Sequence, residues 1–177
     1  KVGNELAFAN SDMEADMHNT SYGLKPTTSG YESVVGHDGT TSRALHVYGT
    51  NTSTAFIFTS AVPLNAQGTY TKISFWVKGA ITGVDKTLSI QVGGVGSNAP
   101  GQLFPCGVIG ASDKTVVSAS GHSYIGSLNT EGNWVKITLD LITGTATTTA
   151  GNTIAFKVGG ATGLTCDFYI DDIVYEE

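Results

Sequence analysis

The 177-residue chain is poor in charge: Asp, Glu, Lys and Arg make up 14% of it, against about 25% in an average soluble domain. Basic residues are the scarcer sign, nine Lys+Arg against fifteen Asp+Glu for a net charge of −6. That excludes the basic face a nucleic-acid binder needs to displace counterions from phosphates. Only two cysteines are present, in no Cys-x-x-Cys or Cys/His cluster, which argues against a zinc site. Cys106 and Cys166 enclose a long stretch, so they either form a disulfide worth up to about 4 kcal/mol or stay as buried thiols. No apolar run approaches the ~20 residues of a membrane span. No Gly-x-Ser-x-Gly elbow surrounds any serine, and Gly93-Gly94-Val95-Gly96 lacks the Lys-Ser/Thr of a phosphate loop. The mid-chain acids Asp85, Asp113, Glu131 and Asp140 form no tight group of the sort that glycoside hydrolysis requires. An enzyme is not expected.

What the chain does have is glycine (23 residues), many threonines and a 40% apolar fraction at a mean hydropathy of +0.04. These are residues of strands and turns rather than helices. Apolar and polar residues alternate with period 2 over 43–48, 71–79, 87–92 and 133–140, with further strands expected at 54–60, 115–118, 153–158 and 166–175. Gly-rich breaks separate them. Eight or more short strands, each with one apolar face, must stack two sheets to hide those faces. The expectation is an all-β, antiparallel two-sheet sandwich, a jelly roll, forming one domain over 1–177. Lys1 at the start reads as a processed chain or excised domain. Two Asn-x-Ser sequons, at Asn19 and Asn51, fall in expected loops.

The acids are unevenly placed. Glu5, Asp12, Glu14 and Asp16 lie in the first sixteen positions and Asp167, Asp171, Asp172, Glu176 and Glu177 in the last eleven, nine of the fifteen in all. Terminal strands of a sandwich commonly lie close together. Carboxylates within ~5 Å of one another repel by about a kcal/mol or more unless protonated or bridged by a cation. Calcium, with its six to eight hard oxygens, suits such a place, and Asp38-Gly39 could add a carbonyl or carboxylate.

Side by side, these segments form a family pattern. Asn10-Ser11-Asp12-Met13-Glu14 resembles the N-terminal Asn-Gly-Asp-Phe-Glu signature of family 4/9/22-type carbohydrate-binding modules. Gly39 to Val47 is similar to their second strand, and Tyr70 to Gly79 to the strand written Tyr-x-x-Ser-Phe-Trp-Val-Lys. Asn133-Trp134-Val135-Lys136 matches the late tryptophan strand, and Phe168 to Val174 the closing Ile-Asp-Asp-Val motif. The resemblance implies a jelly roll with a structural calcium near the terminal strands. Its side-chain ligands would be Glu14 and Asp172, joined by the Gly39 carbonyl, with Asp12 and Asp171 as further candidates. It also implies binding of a plant, algal or microbial polysaccharide or oligosaccharide, with no nucleic-acid partner, in a secreted or cell-surface, multidomain glycoside hydrolase or glycan-binding protein.

Sugars stack their C–H faces on aromatic rings and pair their hydroxyls with planar polar side chains. The polar strand faces offer Trp76 beside Lys72 and Lys78, Tyr48 beside His46, and Gln91. Trp76 is either a stacking platform or the floor of a second small core under a covering loop. Trp134 is read as sealing the sandwich. Tyr22, Tyr31 and Tyr124, in expected loops, are edge-site platforms. The scarcity of aromatics, 9%, favours a cleft over a wide flat surface. The rival expectation is a structural or adhesive sandwich domain of a larger surface protein, with no sugar site.

Overall fold

The computed structural model describes residues 5–8, 10–15, 20–26, 32–61, 70–93, 102–141 and 153–177. In chain order its strands are β1 (Glu5–Leu6), β2 (Leu24–Lys25), β3 (Glu32–Val35), β4 (Thr41–Thr50), β5 (Phe58–Ala61), β6 (Lys72–Thr82) and β7 (Leu88–Gly93). They continue as β8 (Gln102–Pro105), β9 (Val108–Ile109), β10 (Lys114–Val117), β11 (Ser127–Leu128), β12 (Val135–Asp140), β13 (Thr153–Val158) and β14 (Thr165–Glu176). The large sheet runs β10-β12-β6-β14-β4-β2, with β1 on β14 and β3 on β4; the small sheet runs β5-β13-β7-β8. Among the described residues no helix is long and apolar enough to cross a membrane.

The alternation read from the sequence is what stacks the sheets. Ile73, Phe75 and Val77 on β6, Val135, Ile137 and Leu139 on β12, and Ile154 and Phe156 on β13 are all fully buried. Phe75 meets Phe156 across the layers in an edge-to-face contact at 5.3 Å, so the core lies between the two sheets. Each such side chain contributes about 1.5–3 kcal/mol when removed from water. The intervening residues, Trp76 on β6 and Gln91 and Lys157 on the small sheet, therefore project from opposite outer faces of the sandwich.

Two pairings depart from the all-antiparallel expectation: β10 lies parallel to β12 and β9 parallel to β11. Both are built from 106–131, where sequence alternation is weak and the strands are short. Cys106 and Cys166 are free and buried, which decides between the two expectations left open for them. Burial pushes both thiols up to about 12. Asn51, the second sequon, is 2% exposed; its amide donates to the carbonyls of Ala161 and Ser53 and its Oδ1 accepts from Leu164 N–H. That side chain pins two loops rather than facing solvent. Asn19 lies outside the described residues.

Candidate functional site

The two ends of the chain meet on β14. Its register against β6 holds as far as Asp171 opposite Trp76, breaks, and resumes with Val174 opposite Ser74. Within this bulge Asp172 takes a left-handed conformation, φ 49°, which re-aims consecutive side chains. The N-terminal segment fills the break: Ile173 N–H donates to Ser11 O at 3.0 Å, and Ile173 O accepts from Ala7 N–H at 3.0 Å and Ser11 Oγ at 2.6 Å. Met13, at φ 61°, is fully buried where the family signature has an aromatic, so the turn packs through a thioether instead.

This junction opens into a cavity of about 330 Å³ lined by Asp12, Glu14, Asp38, Asp171, Asp172 and His37, with hydroxyls from 40–42. Glu14 Oε2 accepts from Arg43 N–H at 3.0 Å, which holds it at the rim. Asp38 is kept below the usual carboxylate range by the N–H and hydroxyl of Thr40. Asp171 is 2% exposed and is pushed up to about 8, first by burial, then by Asp172, with Glu14 and Asp12 adding smaller repulsions. Its neighbour Asp172 N–H donates to Asp171 Oδ1 at 2.9 Å. One ligand atom each from His37, Asp171 and Asp172 lies within 4.8 Å of the others. Among the described residues, no Lys or Arg lines this cavity. Four carboxylates expected from the sequence, Asp12, Glu14, Asp171 and Asp172, are therefore brought together. Gly39, expected to offer a carbonyl, is not part of the lining. At φ 83° it forms the loop tip, its N–H bonded to Gly36 O, so its neighbours Asp38 and Thr40 reach the cavity instead. The carboxylate expected from Asp38-Gly39 is thus Asp38's, whereas His37 carried no such expectation from the sequence.

The residues expected to hold sugar do not form one site. Trp76, Tyr48 and His46 stand on the outer face of the large sheet, Gln91 and Tyr124 on the small-sheet side, and Tyr31 lies outside the described residues. On the large sheet the rings are occupied with one another. His37 stacks on Trp76 at 4.3 Å and 4°. His46 stacks on Tyr169 at 4.2 Å, leans on Tyr48 at 4.6 Å, and sits 2.6 Å from Asp167. Trp134 donates its indole N–H to Val35 O at 2.8 Å, tying β12 to β3. Tyr48 nevertheless stays 41% exposed. For Trp76 the covering loop, β3–β4, is the arrangement found.

The small sheet is different. Its outer face has a floor of small side chains, Ser89 and Ala155, both buried, beside Gln91, which pairs with Ala155 in register. Over one end stand three half-buried rings: Phe56 meets His122 edge-on at 5.9 Å, and His122 runs near-parallel to Tyr124 at 6.4 Å. Ala119 N–H donates to Leu103 O at 2.8 Å, which brings the following segment across the sheet, and Ser89 Oγ and His122 Nδ1 are hydrogen-bonded. A Cβ on Gly160 would lie 2.5 Å from the Tyr124 ring, so glycine there is what lets the ring settle. His122 Nε2 is buried with no hydrogen-bond partner, and burial, then Lys157, disfavours its protonation. Lys157 Nζ lies over Phe56 at 5.2 Å from the ring centre. Together these groups make a strip of the outer face, here called the trough, where aromatic rings stand beside amide and ammonium donors. Ser89 is fully buried, so the Ser–His pair is closed to a substrate carbonyl and does not form a nucleophilic site.

No protein-family model matches the sequence, and no curated protein does. Solved structures do match. A family 11 carbohydrate-binding module of the cellulosomal cellulase Lic26A-Cel5E of Clostridium thermocellum superposes with a TM-score of 0.53 at 14% identity, over 99% of this chain and 95% of that one. A family 11 module from Clostridium thermocellum in complex with a β-1,3-1,4-mixed-linked tetrasaccharide gives 0.52 at 14% identity, over 99% and 96%. The fold is the carbohydrate-binding-module jelly roll. An exo-β-agarase also matches, with a TM-score of 0.52 and 11% identity, where the chain covers 24% of the longer enzyme and 98% of itself is aligned. The expected sandwich architecture thus stands; its assignment to the 4/9/22 type is a finer matter than shared fold decides.

Proposed function

We propose that the chain is a non-catalytic carbohydrate-binding module of the general kind its family 4/9/22-type motifs suggest, holding a glycan chain in the trough of the small sheet. The observation that carries this reading is the contiguous row Phe56–His122–Tyr124 standing over a floor of small residues. Ring faces beside the sheet take the C–H faces of successive sugars, while the Gln91 amide pairs with hydroxyls. The matched family 11 structures, a cellulase module and a tetrasaccharide complex, support a polysaccharide or oligosaccharide as ligand. They also support a place beside a glycoside hydrolase in a secreted or surface protein.

The acidic cavity fits a structural calcium ion. Carboxylates dominate its lining, with the His37 nitrogen beside them, and the buried Asp171 carboxyl otherwise stays protonated near neutral pH. Asp12, Glu14, Asp171 and Asp172 would hold the ion, which supplies charge neutralisation where the chain ends meet. The cavity opens at the β14 bulge and the β3–β4 loop, on the large-sheet side, away from the trough, so the ion stabilises without touching sugar.

Affinity gel electrophoresis on immobilised polysaccharides tests the reading. Retardation that is lost in Tyr124→Ala, with the fold intact by circular dichroism, is the expected result. A protein retarded by no glycan would leave a structural or adhesive sandwich domain as the better account.

A further inference from the structure

The small-sheet face is almost free of charge. Across 54–69, 87–112 and 141–166, which include all four of its strands, Lys157 is the one Asp, Glu, Lys or Arg in the sequence. Lys157 is half-buried on β13, opposite Ser89 in register, with its ammonium over the Phe56 ring. It has no carboxylate partner among the described residues. By contrast, Lys136 pairs with Glu176 at 2.8 Å and Lys114 donates to the Cys106 and Val108 carbonyls. The ammonium rests on the Phe56 ring face, a modest cation–π attraction that leaves its charge available to an anion. The molecule is acidic overall, yet its carboxylate cavity lies beyond the other sheet. The two faces are separated by the packed core, about 10 Å between sheets.

We infer that the trough selects an anionic glycan, with the carboxylate or sulfate of one sugar residue held by Lys157 while its neighbours stack on the Phe56–His122–Tyr124 row. This rests on the trough being the glycan site and names the class of glycan it takes. A charge-assisted bond to a substituent is about twice as strong as a neutral bond to a hydroxyl, so one lysine without a carboxylate partner among the described residues, on strands that carry no acid, discriminates.

The test is affinity electrophoresis and calorimetry of the whole chain on three probes: polygalacturonate (uronate), κ-carrageenan (sulfate ester) and neutral mixed-linkage β-glucan. The expected result is binding to one or both anionic probes, weakened about tenfold or more in Lys157→Met, retained in Lys157→Arg, and falling between 50 and 500 mM salt on the order expected for screened charge. Which anionic probe binds decides between carboxylate and sulfate. Binding to the neutral glucan alone, unchanged in Lys157→Met, overturns the inference and leaves the carbohydrate-binding reading standing. Anionic binding that Lys157→Met does not weaken also overturns it. Binding to none of the three, nor to xylan or mannan, by folded protein overturns both.

Discussion

The imidazole of His37 lies flat on the indole of Trp76, 4.3 Å away and 4° from parallel, while its Nε2 sits 2.5 Å from Asp172 Oδ2. One side chain from the β3–β4 loop thus touches both an outward aromatic of the large sheet and the bulge where the chain ends meet. The polar neighbours of Trp76 along β6 made it look like a sugar platform, but its ring is a packing surface for that loop.

Trp76→Ala is therefore expected to lower stability by about 2 kcal/mol, below the 3–5 of a fully buried aromatic, and to leave glycan binding unchanged. His37→Ala should shift tryptophan emission to the red, because it uncovers Trp76 and removes the edge contact with Trp134. Thermal melts and affinity gels on the same variants check both. Loss of sugar retardation in folded Trp76→Ala would move the binding site to the large sheet.

The buried thiols give a second expectation. Burial holds Cys106 and Cys166 at about 12, so almost no thiolate exists at neutral pH. Neither should react with a thiol reagent in the folded protein, and both should react in denaturant. Non-reducing and reducing melts should coincide. A single fast-reacting thiol or a redox-dependent melt would contradict the arrangement.

Asn51 gives a third. Its side chain makes three hydrogen bonds inside the protein, and removing it leaves buried groups unsatisfied at about 1–3 kcal/mol. Asn51→Ala should lower the melting temperature markedly. Expression through a eukaryotic secretory pathway should leave Asn51 without glycan by mass spectrometry, even though Asn51-Thr52-Ser53 reads as a sequon.

How much could be read from the chain follows from the range of each interaction. Ile73/Phe75/Val77 and Val135/Ile137/Leu139 were legible because a buried sheet face imposes period 2 within one strand. The carboxylates of the acidic cavity were legible because like charges crowded at both chain ends need relief wherever the ends meet. His37 was not, since its role depends on the β3–β4 hairpin folding over Trp76. The trough was half legible. Gln91 and Tyr124 were named, but Phe56, His122 and Lys157 come from three separate segments with no shared spacing. One weak signal did exist for Lys157, its isolation in long uncharged stretches. Strands at β10 and β12 were legible, but their parallel pairing was not, and the two-residue β9 and β11 carry too few alternations to declare themselves.

Asp171 ties stability to pH and to calcium. In the unfolded chain it ionises near 3.8, while in the folded, metal-free protein it keeps its proton up to about 8. Across that window the unfolded state releases the proton first, so metal-free stability should fall as pH rises from about 4 to about 8 and then level off. Asp171→Asn, which cannot ionise, should flatten this decline and leave the metal-free protein more stable than wild type at pH 8. Calcium acts in the opposite direction, because a bound divalent ion favours the ionised carboxylates. At a hundredfold excess over its dissociation constant it adds about 2.7 kcal/mol, or roughly 5–10 °C for a domain of this size. Chelation should reverse that gain in wild type and do nothing in Asp171→Asn, and in neither case should glycan affinity change in the folded protein. Calorimetric melts at pH 5, 6, 7 and 8, with calcium and with chelator, separate these effects. A chelated wild type whose midpoint does not move with pH, or an Asp171→Asn variant that calcium still stabilises fully, would show that the buried carboxylate is not the group through which the ion acts.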